Sequence, residues 1–180
     1  MKKTKKASVI VIVIIIIIMV VAVLVVARRE EKIPYIAFME NHTREECLFI
    51  CANGDIYAST SEEAFTMDFA EMEEKIQAND YADILKFMGT TDAKKVKKMY
   101  KLYTSIVINN EYHVANKKGE QPASQEYGGK VRYWSGIYYN DEGELVTRNI
   151  YQSNAGKVCS NKLAYIIVKW MYNCLKEYIE

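Results

Sequence analysis

Histidine is nearly missing from this 180-residue chain, with only His42 and His113 present. Neither has a Ser or Cys at a recognisable motif spacing, so the usual imidazole-based acid–base and nucleophile arrangements have no carrier. Glycine is sparse and scattered, and Gly128-Gly129 precedes a strand pattern and not a helix, which is wrong for a phosphate-binding loop. The spacing of Cys47 and Cys51 is not that of a zinc knuckle, and both histidines lie in other segments from the thiols. The carboxylate pairs Glu62/Glu63 and Asp141/Glu142 sit where helix starts and turns ordinarily place acids. There is no internal repeat and no low-complexity segment beyond one apolar run. No catalytic, cofactor-binding or metal-ligating set follows from the sequence.

What the chain does have is that apolar run. Ser8 to Ala27 contains no charge, no Gly and no Pro, and basic residues flank it on both sides. At about 1.5 Å per helical residue, roughly 20 residues span about 30 Å, the thickness of a bilayer's hydrocarbon core. Summed over its Ile, Val and Leu residues, insertion is favourable by roughly 6–10 kcal/mol. Val and Ile favour strands in water, but in lipid a lone segment satisfies its backbone only as a helix. Residues 8–27 are therefore expected to be a transmembrane signal anchor, in contact with the lipid bilayer, with 1–7 a basic cytoplasmic tail and 28–32 a juxtamembrane linker. Lys2, Lys3, Lys5 and Lys6 on one side against Arg28, Arg29 and Lys32 on the other favour a cytoplasmic N-terminus and a domain outside the cell. The reverse orientation and a cleaved secretory signal ending at Val25-Val26-Ala27 are the alternatives.

The remaining Ile33–Glu180 suits one small domain, with a net charge of −4 that argues against nucleic acid as a partner. Its richness in Tyr, Ile, Lys and Asn fits a bacterial coding sequence of low GC content. Cys47, Cys51, Cys159 and Cys174 are even in number, which leaves disulfides and buried free thiols both open. Alternation places Cys47 and Cys51 on the same strand face as Phe49.

Periodicity predicts a first strand over Ile33–Met39. A hairpin follows, Cys47–Ala52 and Asp55–Ser59 around Asn53-Gly54 in a type I′ turn. Thr60 and Glu63 are spaced as a capping box for a helix carrying Phe65, Phe69, Met72 and Ile76. A second short helix is expected over Tyr81–Met88. A third, capped by Thr91 or Asp92, sets Val96, Met99, Tyr100 and Tyr103 against a lysine face. Tyr112–Ala115 is a short strand pattern, and Lys117–Gln125 a polar loop. Lys130–Tyr139 and Glu144–Gln152 then form a second hairpin. The last helix, Lys162–Tyr178, is apolar on so many sides that Tyr165, Ile166 and Tyr172 are expected to be covered as well. The fold class is α+β: one domain with a mainly antiparallel sheet and helices packed on one face.

Two surfaces stand out as candidates for partner binding. One is Trp134 and Tyr138 on the aromatic second hairpin, and the other is the lysine face with Lys94, Lys98 and Lys101. Both also have plain structural roles, as sheet packing and as a solvated helix face. The function expected is a single-pass, non-catalytic membrane protein whose outer domain binds a partner protein or ligand at the cell envelope. A membrane-surface hydrolase and an immunity or inhibitor-type protein are the alternatives.

Overall fold

The computed structural model describes residues 32–41, 47–108, 115–116, 132–152, 157–158 and 161–179. The apolar run at 8–27, both histidines, Cys159 and the polar loop at 117–125 lie outside the described residues, as does most of the 112–115 strand pattern. Among the described residues no helix is long and apolar enough to cross a membrane.

Six strands form one antiparallel sheet: β1 (Ile36–Asn41), β2 (Cys47–Cys51), β3 (Asp55–Ser59), β4 (Leu85–Thr90), β6 (Tyr133–Tyr139) and β7 (Leu145–Gln152). Their spatial order is β4-β3-β2-β1-β6-β7. A short β5 (Ala115–Asn116) pairs separately with β8 (Lys157–Val158). The helices are α1 (Glu62–Thr66), α2 (Phe69–Gln77), α3 (Ala93–Tyr103), which runs on into a π-helical turn over Thr104–Ile108, and α4 (Lys162–Ile179). The domain is thus α+β with an antiparallel sheet.

Helices cover both faces of the sheet and not one. The central strands explain why. Every residue of β2 is buried, and in β1 only Asn41 is not. Strands apolar at successive positions need cover on both sides. One face, bearing Phe38, Leu48, Ile50, Ile56 and Trp134, packs against α3 and α4. The other, bearing Met39, Cys47, Phe49, Cys51 and Tyr57, packs against Ala64 of α1 and Met72 and Ile76 of α2. The shared face of Cys47, Phe49 and Cys51 agrees with the alternation.

Both hairpins form where the turn residues placed them, but the turn type of the first differs. The Gly54 N–H donates to the Cys51 carbonyl at 2.9 Å, and Gly54 alone in the turn takes a positive φ, +97°. That is a type I turn closed by a glycine bulge, and not the I′ turn, which needs positive φ at Asn53 as well. The β6–β7 turn repeats the device. Gly143, at φ +84°, donates to the Asn140 carbonyl at 3.0 Å.

Three local expectations are corrected. The first strand begins at Ile36, two residues past Pro34, whose ring supplies no N–H to a ladder. The helix expected from Thr60 is two helices. The Thr60 hydroxyl donates to the Asp83 carbonyl instead of capping, and Asp68 starts α2 by accepting from the Ala70 N–H at 2.7 Å. The segment expected as a helix over Tyr81–Met88 supplies the edge strand β4. Asn79, at φ 59°, ends α2 with the Asp80 N–H on the Lys75 carbonyl and the Asn79 N–H on the Ile76 carbonyl. The chain is thereby turned back to pair with β3 before a helix can start.

α3 and α4 follow the periodicity closely. The Asp92 carboxylate accepts from the Lys94 N–H at 2.9 Å, and Asn161 accepts from the Leu163 N–H at 2.8 Å. Val96, Met99, Tyr100 and Tyr103 are buried. Tyr103 lies under Gly136, where an added Cβ would stand 2.3 Å from the ring, and its hydroxyl donates to the Gly136 carbonyl at 2.9 Å. Tyr100 does the same to the Ile137 carbonyl at 3.0 Å. These two phenols fix α3 against the middle of β6.

Candidate functional site

The sequence candidates do not come together in one place. Trp134 and Tyr138 point to the face covered by α3 and α4. Trp134 is buried, at 4% exposure, and Tyr138 is half-buried against the same core. Lys94, Lys98 and Lys101 are exposed along α3. Glu62 and Glu63 occupy the first turn of α1, while Asp141 and Glu142 stand exposed at the β6–β7 turn. Among the described residues no group of three His, Cys, Asp or Glu side chains is placed to hold a metal ion.

The surface that departs most from a satisfied fold is on α4. Tyr165, Ile166 and Tyr172, expected to be covered, are 54%, 47% and 45% exposed. They share a helix face with Lys162, Lys169 and Lys176, spaced seven residues apart. The buried residues are Ala164, Ile167, Val168, Trp170, Met171 and Leu175, so the helix has used its core-facing stripe and still carries a second apolar one. Large uncovered aromatics rimmed by charge mark interaction surfaces more often than isolated exposed residues do.

Beside this stripe lies an open groove of about 460 Å³, lined by Arg132, Trp134, Tyr151, Tyr165, Val168, Lys169, Tyr172 and Asn173. Its floor is rigid. Trp134 sits on β6, paired with Glu40 of β1 and Tyr151 of β7, and meets Tyr172 edge to face at 6.3 Å. Arg132 closes one end. Its Nη1 donates to the buried Glu40 carboxylate at 3.1 Å and its Nη2 to the Ile179 carbonyl at 3.2 Å. One side chain thereby neutralises a carboxylate held inside the sheet and caps the C-terminus of α4. The lining is aromatic, with three tyrosines and one tryptophan, and besides the paired Arg132 its charged residue is Lys169.

A second concavity, about 390 Å³, sits at the end of the sheet where Tyr35, Asn53, Glu73, Lys97 and Tyr139 approach one another. Its polar groups are largely occupied with the fold. The Asn53 amide donates to the Tyr35 hydroxyl at 3.2 Å and to Asp55 at 2.7 Å, and Glu73 accepts from the Ile36 N–H at 3.1 Å.

Among the described residues no disulfide joins Cys47, Cys51 or Cys174. Cys47 and Cys51 are four residues apart on one extended strand, about 13 Å by strand rise, too far to bridge. Cys174 is on the opposite side of the sheet. Burial, with the Glu40 carboxylate adding to it, pushes the Cys47 thiol up to about 12. Burial raises Cys51 as well, and it raises Cys174 against the opposing effects of the Thr91 hydroxyl and Lys95. Protonated thiols are poor nucleophiles.

Compared with family models, curated proteins and solved structures, the chain matches none.

The α4 surface was missed in the sequence because Tyr165, Ile166 and Tyr172 read as core. The signal that could have found it is the strict Lys162, Lys169, Lys176 repeat interleaved with Tyr165 and Tyr172, which sets one cationic aromatic face on an otherwise apolar helix.

Proposed function

We propose that the chain is a single-pass membrane-anchored protein, held by residues 8–27, whose domain acts outside the cytoplasm as a non-catalytic binding module. Its docking surface is the exposed face of α4 with the groove against Trp134 and Tyr151. One observation carries this reading: α4 leaves Tyr165, Ile166 and Tyr172 uncovered beside an aromatic groove whose lining includes Lys169. Tyrosines on a fixed scaffold give large contact area at small cost in conformational entropy. The anchor is supported by the length and uninterrupted apolarity of Ser8–Ala27. The short linker 28–32 restricts the domain to partners at or near that membrane.

Crosslinking in the native membrane tests the binding reading. Wild-type chain should give a reproducible adduct that disappears in a Y165A/I166A/Y172A variant that stays folded, and an adduct that survives in that variant excludes the surface. Protease added to intact cells tests the placement. Digestion of residues 33–180 without rupture supports the outer location, and digestion only after rupture reverses the topology.

A further inference from the structure

The two helical layers carry opposite charge. Between Thr60 and Ile84, the stretch that includes α1 and α2, the chain has eight carboxylates and one lysine. On the other side of the sheet, α3 with its π-helical turn and α4 together have eight lysines and one carboxylate, Glu177. All eight lysines are exposed, as are seven of the eight carboxylates, Glu73 being half-buried. Among the described residues, the helices on one side of the sheet are thus acidic and those on the other basic.

Each side also has an uncovered apolar patch. On the basic side it is Tyr165, Ile166 and Tyr172, rimmed by lysines. On the acidic side Phe87 is 46% exposed and packs on Tyr57 at 5.6 Å between ring centres, with Tyr81 against the same ring at 5.1 Å. Asp80 and Asp83 flank that cluster and are exposed. An apolar patch with a cationic rim and an apolar patch with an anionic rim are complementary in both respects that govern docking, desolvated area and potential.

We propose that the α4 surface docks onto the α2–β4 surface of a second copy of this chain, head to tail. This rests on α4 being the docking surface and names its occupant. Two different patches meet, so the contact is heterologous and propagates into rows or rings instead of closing a two-fold dimer. The sheet's layered build supplies the repeat, because each copy presents the basic side at one end of the contact and the acidic side at the other.

The test uses the full chain in the membrane of expressing cells, with photoreactive benzoylphenylalanine in place of Tyr172. The expected products are a ladder of multiples of the chain's mass beginning at twice that mass, with each adduct mapped to residues 69–90 of the next copy. The K162E/K169E/K176E set and the E71K/E74K/D83K set should each lower the yield by about tenfold, and co-expressing the two sets should restore it by re-pairing reversed charges. Raising salt from about 50 to about 500 mM should weaken the wild-type adduct, a readout that does not depend on any variant folding. An adduct with a different protein overturns the second copy and leaves the α4 docking surface standing. An adduct joining two Tyr172 positions also overturns the head-to-tail contact. If Tyr172 gives no adduct at all, both the second copy and the docking surface fail.

Discussion

Trp134 and Tyr172 meet edge to face at 6.3 Å, one ring sealed in the sheet and the other nearly half exposed on α4. The pair joins a fixed floor to an open lip, and the two substitutions should therefore separate. Trp134→Ala removes a buried ring and should cost about 3–5 kcal/mol of stability, read as a lowered urea midpoint. Tyr172→Ala should cost less than about 1 kcal/mol in the same assay while removing the membrane crosslink. Equal loss of stability from both would mean that Tyr172 belongs to the core.

Gly136 is required by the ring of Tyr103 lying against it. A Cβ there would fall 2.3 Å from that ring, so Gly136→Ala should destabilise by about 1–3 kcal/mol through forced displacement of α3. Tyr103→Phe keeps the ring and removes only the hydrogen bond to the Gly136 carbonyl, and should cost about 1 kcal/mol. Thermal melts of both variants check the order; a milder effect from Gly136→Ala than from Tyr103→Phe would contradict it.

The buried thiols and phenols set the response to alkali. Cys47 ionises near 9 when unfolded and is held up to about 12 in the fold, so its contribution is complete below pH 9 and is lost as pH rises toward 12. Burial also raises Cys51, Tyr57 and Tyr103, which add in the same direction. Urea midpoints should hold from pH 7 to 9 and fall steadily above. Cys47→Ala should start lower, from the lost packing, and fall less steeply. A slope identical to wild type would show that Cys47 is not buried in its protonated form.

Much of the fold was legible because its signals are local. Asn53-Gly54 placed the first hairpin, and of the two cap candidates Thr91 and Asp92 it is Asp92 that accepts from the Lys94 N–H. What was misread depended on distant partners. Ile84, Leu85 and Met88 have helical spacing, yet the segment pairs with β3 because the end of α2 at Asn79 turns the chain back along the sheet. Cover on both faces follows from β1 and β2 being apolar at successive positions, a pattern also compatible with a single buried layer. The site was the hardest part. Whether Tyr172 is core or surface depends on where α3 and the sheet stop covering α4, and no spacing within Lys162–Ile179 states that limit.

Lysine acetylation of the full chain in its native membrane, compared with the same chain in detergent, tests the central claim most directly. Lys162, Lys169 and Lys176 should be protected in the membrane by about tenfold relative to detergent, because a partner covers their helix face, while Lys94, Lys98 and Lys101 on α3 should change by less than about twofold. Equal labelling of the α4 lysines in both settings would contradict the account.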